Sequence, residues 1–149
     1  MDSPLYIVIH HTAIGGMEVQ AGAVENSHRN RYEASPYTHS HIAYHFLIGK
    51  DGTIKKNRRL SEDTPHTGCG LNEGRCKEGM HDINENSIAI ALAGDFNFEY
   101  PTKHQVDSLR YVVTELQKKY GIPNERVIPH KKASATSCPG AHLEEMLWK

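Results

Sequence analysis

Three histidine- and cysteine-bearing segments lie far apart in this chain, and together they form a donor set for a soft metal. His10-His11-Thr12-Ala13 closes an apolar run near the start, and His130 precedes Cys138-Pro139-Gly140 near the end. Imidazole nitrogen and thiolate sulfur are the ligands zinc prefers. Two histidines and one cysteine fill three corners of a tetrahedron. A fourth corner left to water separates a hydrolytic zinc site from a closed structural one, so the set predicts a metal-dependent hydrolase. Adjacent side chains on a strand point to opposite faces, so at most one of His10 and His11 faces a given site. The polar stretch 131–137 is long enough to fold back and bring His130 and Cys138 to one ion. Taken alone, that pair reads better as a buried thiol beside an unrelated histidine.

Two further places carry polar chemistry. Tyr44-His45 lies within an apolar stretch. A tyrosine hydroxyl beside a metal would donate to a developing oxyanion, although on these residues alone a half-buried tyrosine of an amphipathic strand is the stronger explanation. His66-Thr67-Gly68 lies in a long loop, within reach of a substrate or simply solvated.

The elements that must position these groups follow from the apolar pattern. Leu5-Tyr6-Ile7-Val8-Ile9 is a continuous β-rich run, the mark of a strand buried on both faces. Its C-terminal end carries the double histidine, where open α/β sheets place their ligands. Residues 17–32 lack proline and read as a helix, broken at Ser35-Pro36-Tyr37. Residues 43–48 and 53–56, joined through Asp51-Gly52, read as a hairpin. Residues 61–86 read as loop, long enough to suggest a functional surface. Residues 87–93 make a third buried strand. Thr102-Lys103-His104-Gln105 has capping-box spacing; Val106, Leu109, Val113, Leu116 and Tyr120 share the face that follows, and Gly121 stops the helix. Residues 127–129 form a short strand leading to His130, and 141–148 a terminal helix. Alternating strands and helices predict an α/β fold with a mixed sheet flanked by helices, and 149 residues suit one domain.

Bulk properties exclude some classes. With 17 basic against 18 acidic residues the chain has no basic footprint for nucleic acid. No stretch approaches the ~20 apolar residues of a membrane helix. Met1-Asp2-Ser3-Pro4 lacks the basic region of a secretory signal. With Cys138 as a ligand, Cys69 and Cys76 remain, and in a reducing cytosol two free thiols are favoured over a disulfide.

The order of Ile9-His10-His11-Thr12-Ala13, Ala43-Tyr44-His45-Phe46-Leu47-Ile48, Asp51-Gly52-Thr53-Ile54, His66-Thr67-Gly68, Asn86-Ser87-Ile88-Ala89-Ile90 and Thr136-Ser137-Cys138-Pro139-Gly140 resembles the zinc-dependent N-acetylmuramoyl-L-alanine amidases. That family includes phage lysozymes that are in fact amidases, and the animal peptidoglycan recognition proteins. The likeness runs from about residue 5 to 148; each motif is weak alone, but six in register are specific. It implies a zinc ion held by His10, His130 and Cys138, with the first histidine of the pair as ligand. It implies cleavage of the amide between N-acetylmuramic acid and the L-alanine of the stem peptide, with Tyr44 catalytic and Thr136 beside it. It implies substrate contacts from His28 on the groove-lining helix and from His66 beside the cleft; His45, next to Tyr44, is a further candidate.

The chain also departs from the family. Some members carry a lysine where Thr136 stands, and another branch a glutamate where Ala91 stands; both absences shift weight onto Tyr44. The loop with Cys69 and Cys76 is longer than the usual connection, so no family role transfers to it. The expected partner is bacterial peptidoglycan or muropeptides, bound by a monomer, with no nucleic acid and no membrane. The expected setting is synthesis in the cytoplasm and wall lysis after release, as for an endolysin. The rivals are a recycling amidase in the cytosol, a non-catalytic wall-sensing module, and a structural zinc domain needing a fourth ligand, for which only His45 is near.

Overall fold

A computed structural model describes residues 1, 3–16, 21–69 and 75–148. Strands β1 (Tyr6–His11), β2 (Phe46–Ile48), β3 (Ile54–Lys56), β4 (Ser87–Leu92) and β5 (Val127–Pro129) form one sheet in the order β3-β2-β4-β1-β5. β1 runs parallel to β4 and to β5, β2 runs parallel to β4, and only the β2–β3 pair is antiparallel. The expected mixed α/β architecture is what forms.

The two apolar runs become the central strands because both of their faces are covered. Every residue of β4 is buried, as is all of β1 after Tyr6. On one face Ile7, Ile9, Ile88, Ile90 and Leu92 pack against Leu109, Val112 and Leu116 of α2 (Lys103–Tyr120) and Leu143 of α4 (Ala141–Leu147). On the other, Leu47, Ala91 and Ala93 meet Val24 of α1 (Ala21–His28), while Val8 and Ile128 meet Cys69, Ile83 and Ala133.

Helix α2 begins where its capping box places it. The Thr102 hydroxyl accepts the Gln105 N–H at 3.1 Å, and the Gln105 carboxamide accepts the Thr102 N–H at 3.1 Å. The same carboxamide donates to the Ala93 carbonyl at 2.9 Å, tying the helix start to the end of β4. Gly121 ends the helix at φ 67°, a conformation glycine takes without a Cβ penalty.

Several expected boundaries move. The helix expected over 17–32 spans Ala21–His28, then tightens into turns on the His28 carbonyl; 17–20 lie outside the described residues. β2 begins only at Phe46, after residues 43–45; the His45 carbonyl still accepts the Asn57 N–H at 2.8 Å, while its ring donates to the Glu62 carbonyl. The stretch after His130, expected to be irregular, opens with a single helical turn, α3 (His130–Ala133). The stretch 61–86 contains a 3₁₀ turn, Ile83–Glu85.

The expectation of two free thiols is corrected. Cys69 and Cys76 form a disulfide, their Cα atoms 5.0 Å apart, inside the window such a bond needs. They are held there because Cys69 is buried against Val8 and Ile83 while Cys76 bridges to Ser134. No helix among the described residues is long and apolar enough to cross a membrane.

Ile90 is wholly buried between β1, β2 and α2. Ile90→Ala should lower unfolding free energy by about 2–5 kcal/mol, read by urea denaturation of the metal-free protein.

Candidate functional site

Strand order brings the distant residues together. β5 pairs with β1 so that Pro129 lies opposite Ile9. The next residues, His130 and His10, therefore emerge side by side, with ring centroids 4.5 Å apart. The chain then turns back: the Lys131 N–H donates to the Cys138 carbonyl at 2.9 Å, and the Thr136 hydroxyl accepts the Cys138 N–H at 3.2 Å. Gly140 permits this return, since at φ 94° a Cβ there would lie 2.5 Å from the backbone of Phe96. The result is a cluster in which His10, His130 and Cys138 each offer one ligand atom within 4.8 Å of the others.

The alternation of β1 divides the double histidine. His10 faces the side of Ala91 and Tyr44, with its ring 4.9 Å from the Tyr44 ring. His11 turns to the opposite face, beside Phe96, and accepts the Phe96 N–H at 3.1 Å. His10 is thus the member of the pair that reaches the cluster.

This cluster fits zinc. Tetrahedral angles and ordinary Zn–N and Zn–S bond lengths put neighbouring nitrogen and sulfur ligands about 3.6 Å apart. His10 Nδ1 and Cys138 Sγ are 3.7 Å apart. Among the described residues the cluster contains no fourth histidine, cysteine or carboxylate. His130 is turned the right way by its other nitrogen: Nε2 donates to the Thr67 carbonyl at 2.9 Å, leaving Nδ1 without a proton. The Ser134 hydroxyl donates to the same carbonyl at 3.0 Å.

Burial sets the charge states. It pushes His10 well below the ordinary histidine range, helped by the neighbouring His130 and His66, and takes His130 down to about 4. Both rings are neutral, as ligands must be. Burial also pushes the Cys138 thiol up to about 12, partly offset by the His11 N–H, which points at the sulfur from 3.4 Å. Only a cation at the cluster would favour the thiolate there.

The other predicted residues divide into two groups. Tyr44 borders the cluster half-buried, and its hydroxyl makes no hydrogen bond within the described residues. Burial, then the nearby Cys138, raises its phenol above the ordinary value, so it is a donor and not a base. His28 packs against the Tyr44 ring at 5.4 Å, and its Nδ1 accepts the Ala43 N–H at 3.1 Å. Thr136 sits two residues before the cysteine, holding the turn through its hydroxyl.

His45 and His66 are spent internally. His45 Nε2 donates to the Glu62 carbonyl at 2.8 Å and Nδ1 accepts the Ala89 N–H at 3.0 Å, leaving no nitrogen for substrate or as a fourth zinc ligand. His66 meets His10 on one side (2.9 Å) and Ser87 on the other (2.9 Å). Ser87, Ser134 and the Thr67 carbonyl are site groups that the sequence reading missed. Only Ser134 left a signal, standing one helical turn after His130.

Residues 1–141 match the N-acetylmuramoyl-L-alanine amidase family. A peptidoglycan-recognition protein of Drosophila melanogaster is 33% identical over 109 residues, 72% of this chain and 53% of its own length. The N-acetylmuramoyl-L-alanine amidase CwlH of Bacillus subtilis is 29% identical over 142 residues, 95% of this chain and 50% of its own. The chain thus spans about half the length of these two curated relatives. Among solved structures, the endolysin N-acetylmuramoyl-L-alanine amidase LysCS from Clostridium intestinale superposes with a TM-score of 0.72 at 30% identity, covering 97% of this chain and 80% of that one.

Elemental analysis of the purified protein should find about one zinc per chain, as three protein ligands and one open position require. Cys138→Ser should weaken zinc binding more than about 100-fold, beyond the loss typical when only a group behind a ligand is altered. Retention of stoichiometric zinc by that variant against a competing chelator would exclude Cys138 as a ligand.

Proposed function

The chain belongs to the N-acetylmuramoyl-L-alanine amidase family, and on that footing we propose that it is a zinc-dependent hydrolase of the amide between N-acetylmuramic acid and L-alanine in peptidoglycan. One observation carries the reading: among the described residues, His10, His130 and Cys138 converge with no fourth side-chain ligand, directly beside an uncommitted tyrosine hydroxyl.

Zinc held by His10, His130 and Cys138 would supply Lewis acidity to the amide carbonyl and to water. The protein supplies position and hydrogen bonds. Tyr44, held protonated by its burial, donates to the substrate oxygen that gains negative charge as the amide is attacked. The edge of His28 steadies the Tyr44 ring, and its Nε2, without a partner among the described residues, serves the bound muropeptide. Thr136 holds the turn that presents Cys138, and its hydroxyl hydrogen remains for the substrate. Ala91 stands in register with His10 and offers no carboxylate, which leaves Tyr44 as the principal polar group acting on the reacting amide.

We place this activity in wall lysis outside the reducing cytosol, in the manner of an endolysin. The disulfide between Cys69 and Cys76 favours that setting over cytosolic recycling, since such bonds persist in oxidising surroundings. Retention of all three ligand positions favours catalysis over sensing.

Digestion of purified sacculi should release new L-alanine amino termini without new reducing sugar ends. Release of reducing ends alone would mean that a glycosidic bond is cut and would overturn the assignment. Tyr44→Phe should keep zinc content and melting temperature while kcat falls about 10²–10³-fold, the usual loss for one oxyanion donor. A zinc-loaded Tyr44→Phe protein turning over at the parental rate would remove Tyr44 from the chemistry.

A further inference from the structure

His10 is the most deeply buried of the two histidine ligands, and its outer nitrogen meets another imidazole and not a carbonyl. An imidazole accepts or donates according to its tautomer, so this contact alone does not decide which His10 nitrogen carries the proton. The decision comes from further along the chain of hydrogen bonds.

Ser87 Oγ lies 2.6 Å from the carbonyl oxygen of Ile83, which can only accept. The single hydroxyl proton of Ser87 is therefore spent on Ile83. Toward His66 the serine has only lone pairs left, so His66 Nε2, 2.9 Å away, carries a proton and donates. A neutral His66 protonated at Nε2 is bare at Nδ1. That bare nitrogen lies 2.9 Å from His10 Nε2, which must then carry the proton and donate. The consequence reaches the cluster: His10 Nδ1 is left as a lone pair, directed toward Cys138 Sγ at 3.7 Å.

We infer that His66, backed by Ser87 and the Ile83 carbonyl, is a positioning residue that fixes His10 in the one tautomer able to ligate a metal. His66 does not touch the metal position or the substrate; it acts through His10. Its neighbour Thr67 does the corresponding service for His130 through a backbone carbonyl. The two consecutive residues thus set the orientation of both ligand imidazoles. Asn84 locks this dipeptide in place, its Oδ1 accepting from the Thr67 N–H at 3.2 Å and hydroxyl at 2.7 Å, its Nδ2 donating to the Cys69 carbonyl at 2.8 Å. A substrate-binding role for His66 does not fit this arrangement, since both of its nitrogens are committed inside a buried site.

The inference rests on the zinc-hydrolase reading for its purpose, but its test begins without metal. Long-range ¹H–¹⁵N spectra of the metal-free protein should show His10 protonated at Nε2 and bare at Nδ1, and the same pattern for His66. A proton on His10 Nδ1 would overturn the relay whether or not the protein binds zinc. A parent protein with the expected tautomers that takes up no zinc would instead overturn the hydrolase reading and leave the relay standing.

Substitution then measures the effect. His66→Leu, which removes the acceptor, should raise the zinc dissociation constant about 10–100-fold in chelator competition, the range typical of groups that orient a ligand. His66→Asn, whose Oδ1 falls near the position of the lost Nδ1, should recover most of that loss; a merely space-filling role would give no such recovery. Ser87→Ala, nearly isosteric and able to test the relay even if His66→Leu misfolds, should weaken zinc in the same direction and mix the two His66 tautomers in the metal-free spectrum. Parental zinc affinity in folded His66→Leu, or a single unchanged His66 tautomer in Ser87→Ala, would refute the proposal.

Discussion

Groups that share a metal have to meet at one point with little water between them, and burying three titratable side chains to do so is the constraint on which the rest of this structure depends. Burial favours neutral His10 and His130 and raises the Cys138 thiol, so these side chains by themselves add no charge to the cluster. The same burial strands every outer N–H of those rings unless a partner is supplied, and an unpaired buried donor costs about 1–3 kcal/mol. Hence the ring of polar groups behind the ligands. His66, Ser87, Ser134 and the Thr67 carbonyl are all held inside, and each completes a hydrogen bond that begins at a ligand or ends at a carbonyl.

The sheet makes that arrangement rigid. β1 lies between β4 and β5, so the histidine at its end is braced from both sides by backbone ladders. β4 carries Ser87 at its first residue and Ala91 in register with His10 near its last. One strand therefore anchors the hydrogen-bond relay at one end and leaves space beside the ligand at the other. The apolar packing of β1 and β4 against α2 and α4 keeps this frame from shifting, and Gly140 lets the Cys138 turn close onto the backbone of Phe96. The segment around Cys76 plays a matching part below His130: the Lys77 N–H donates to the Ala133 carbonyl and the Ala135 N–H to the Arg75 carbonyl, tying down the C-terminal end of α3.

How much of this was legible in the sequence depends on the range of the interactions involved. β1, β4, β5 and α2 were readable because their signals are local: continuous β-branched runs, and a capping box with an apolar face ended by glycine. The members of the His10–His130–Cys138 cluster could be singled out because their residue types are restrictive. Groups that act through a partner distant in sequence were not. Nothing near His45 announces that its ring will be taken by the Glu62 carbonyl, and nothing near His66 announces Ser87, 21 residues away. A histidine beside a motif invites a substrate role by default. Only the count of committed nitrogens separates a residue that meets substrate from one that holds another residue still. Cys69 and Cys76 failed for a related reason, since their pairing depends on α3, which brings Ser134 against Cys76.

The same count explains why Tyr44 stands out. Five histidines crowd the neighbourhood of the cluster, yet His10 and His130 belong to it, His45 and His66 are bonded at both nitrogens, and His28 is bonded at one. At the spot beside His10, Ala91 is fully buried, packed among Leu47, Val24 and Ile42, and a carboxylate there would lose its hydration. A phenol avoids that penalty. It stays neutral under the same burial, needs no counter-charge, and gives a donor at the edge of the cluster. A buried alanine on one side and histidines bonded at both nitrogens on the other leave the Tyr44 hydroxyl as an uncommitted donor beside the cluster among the described residues.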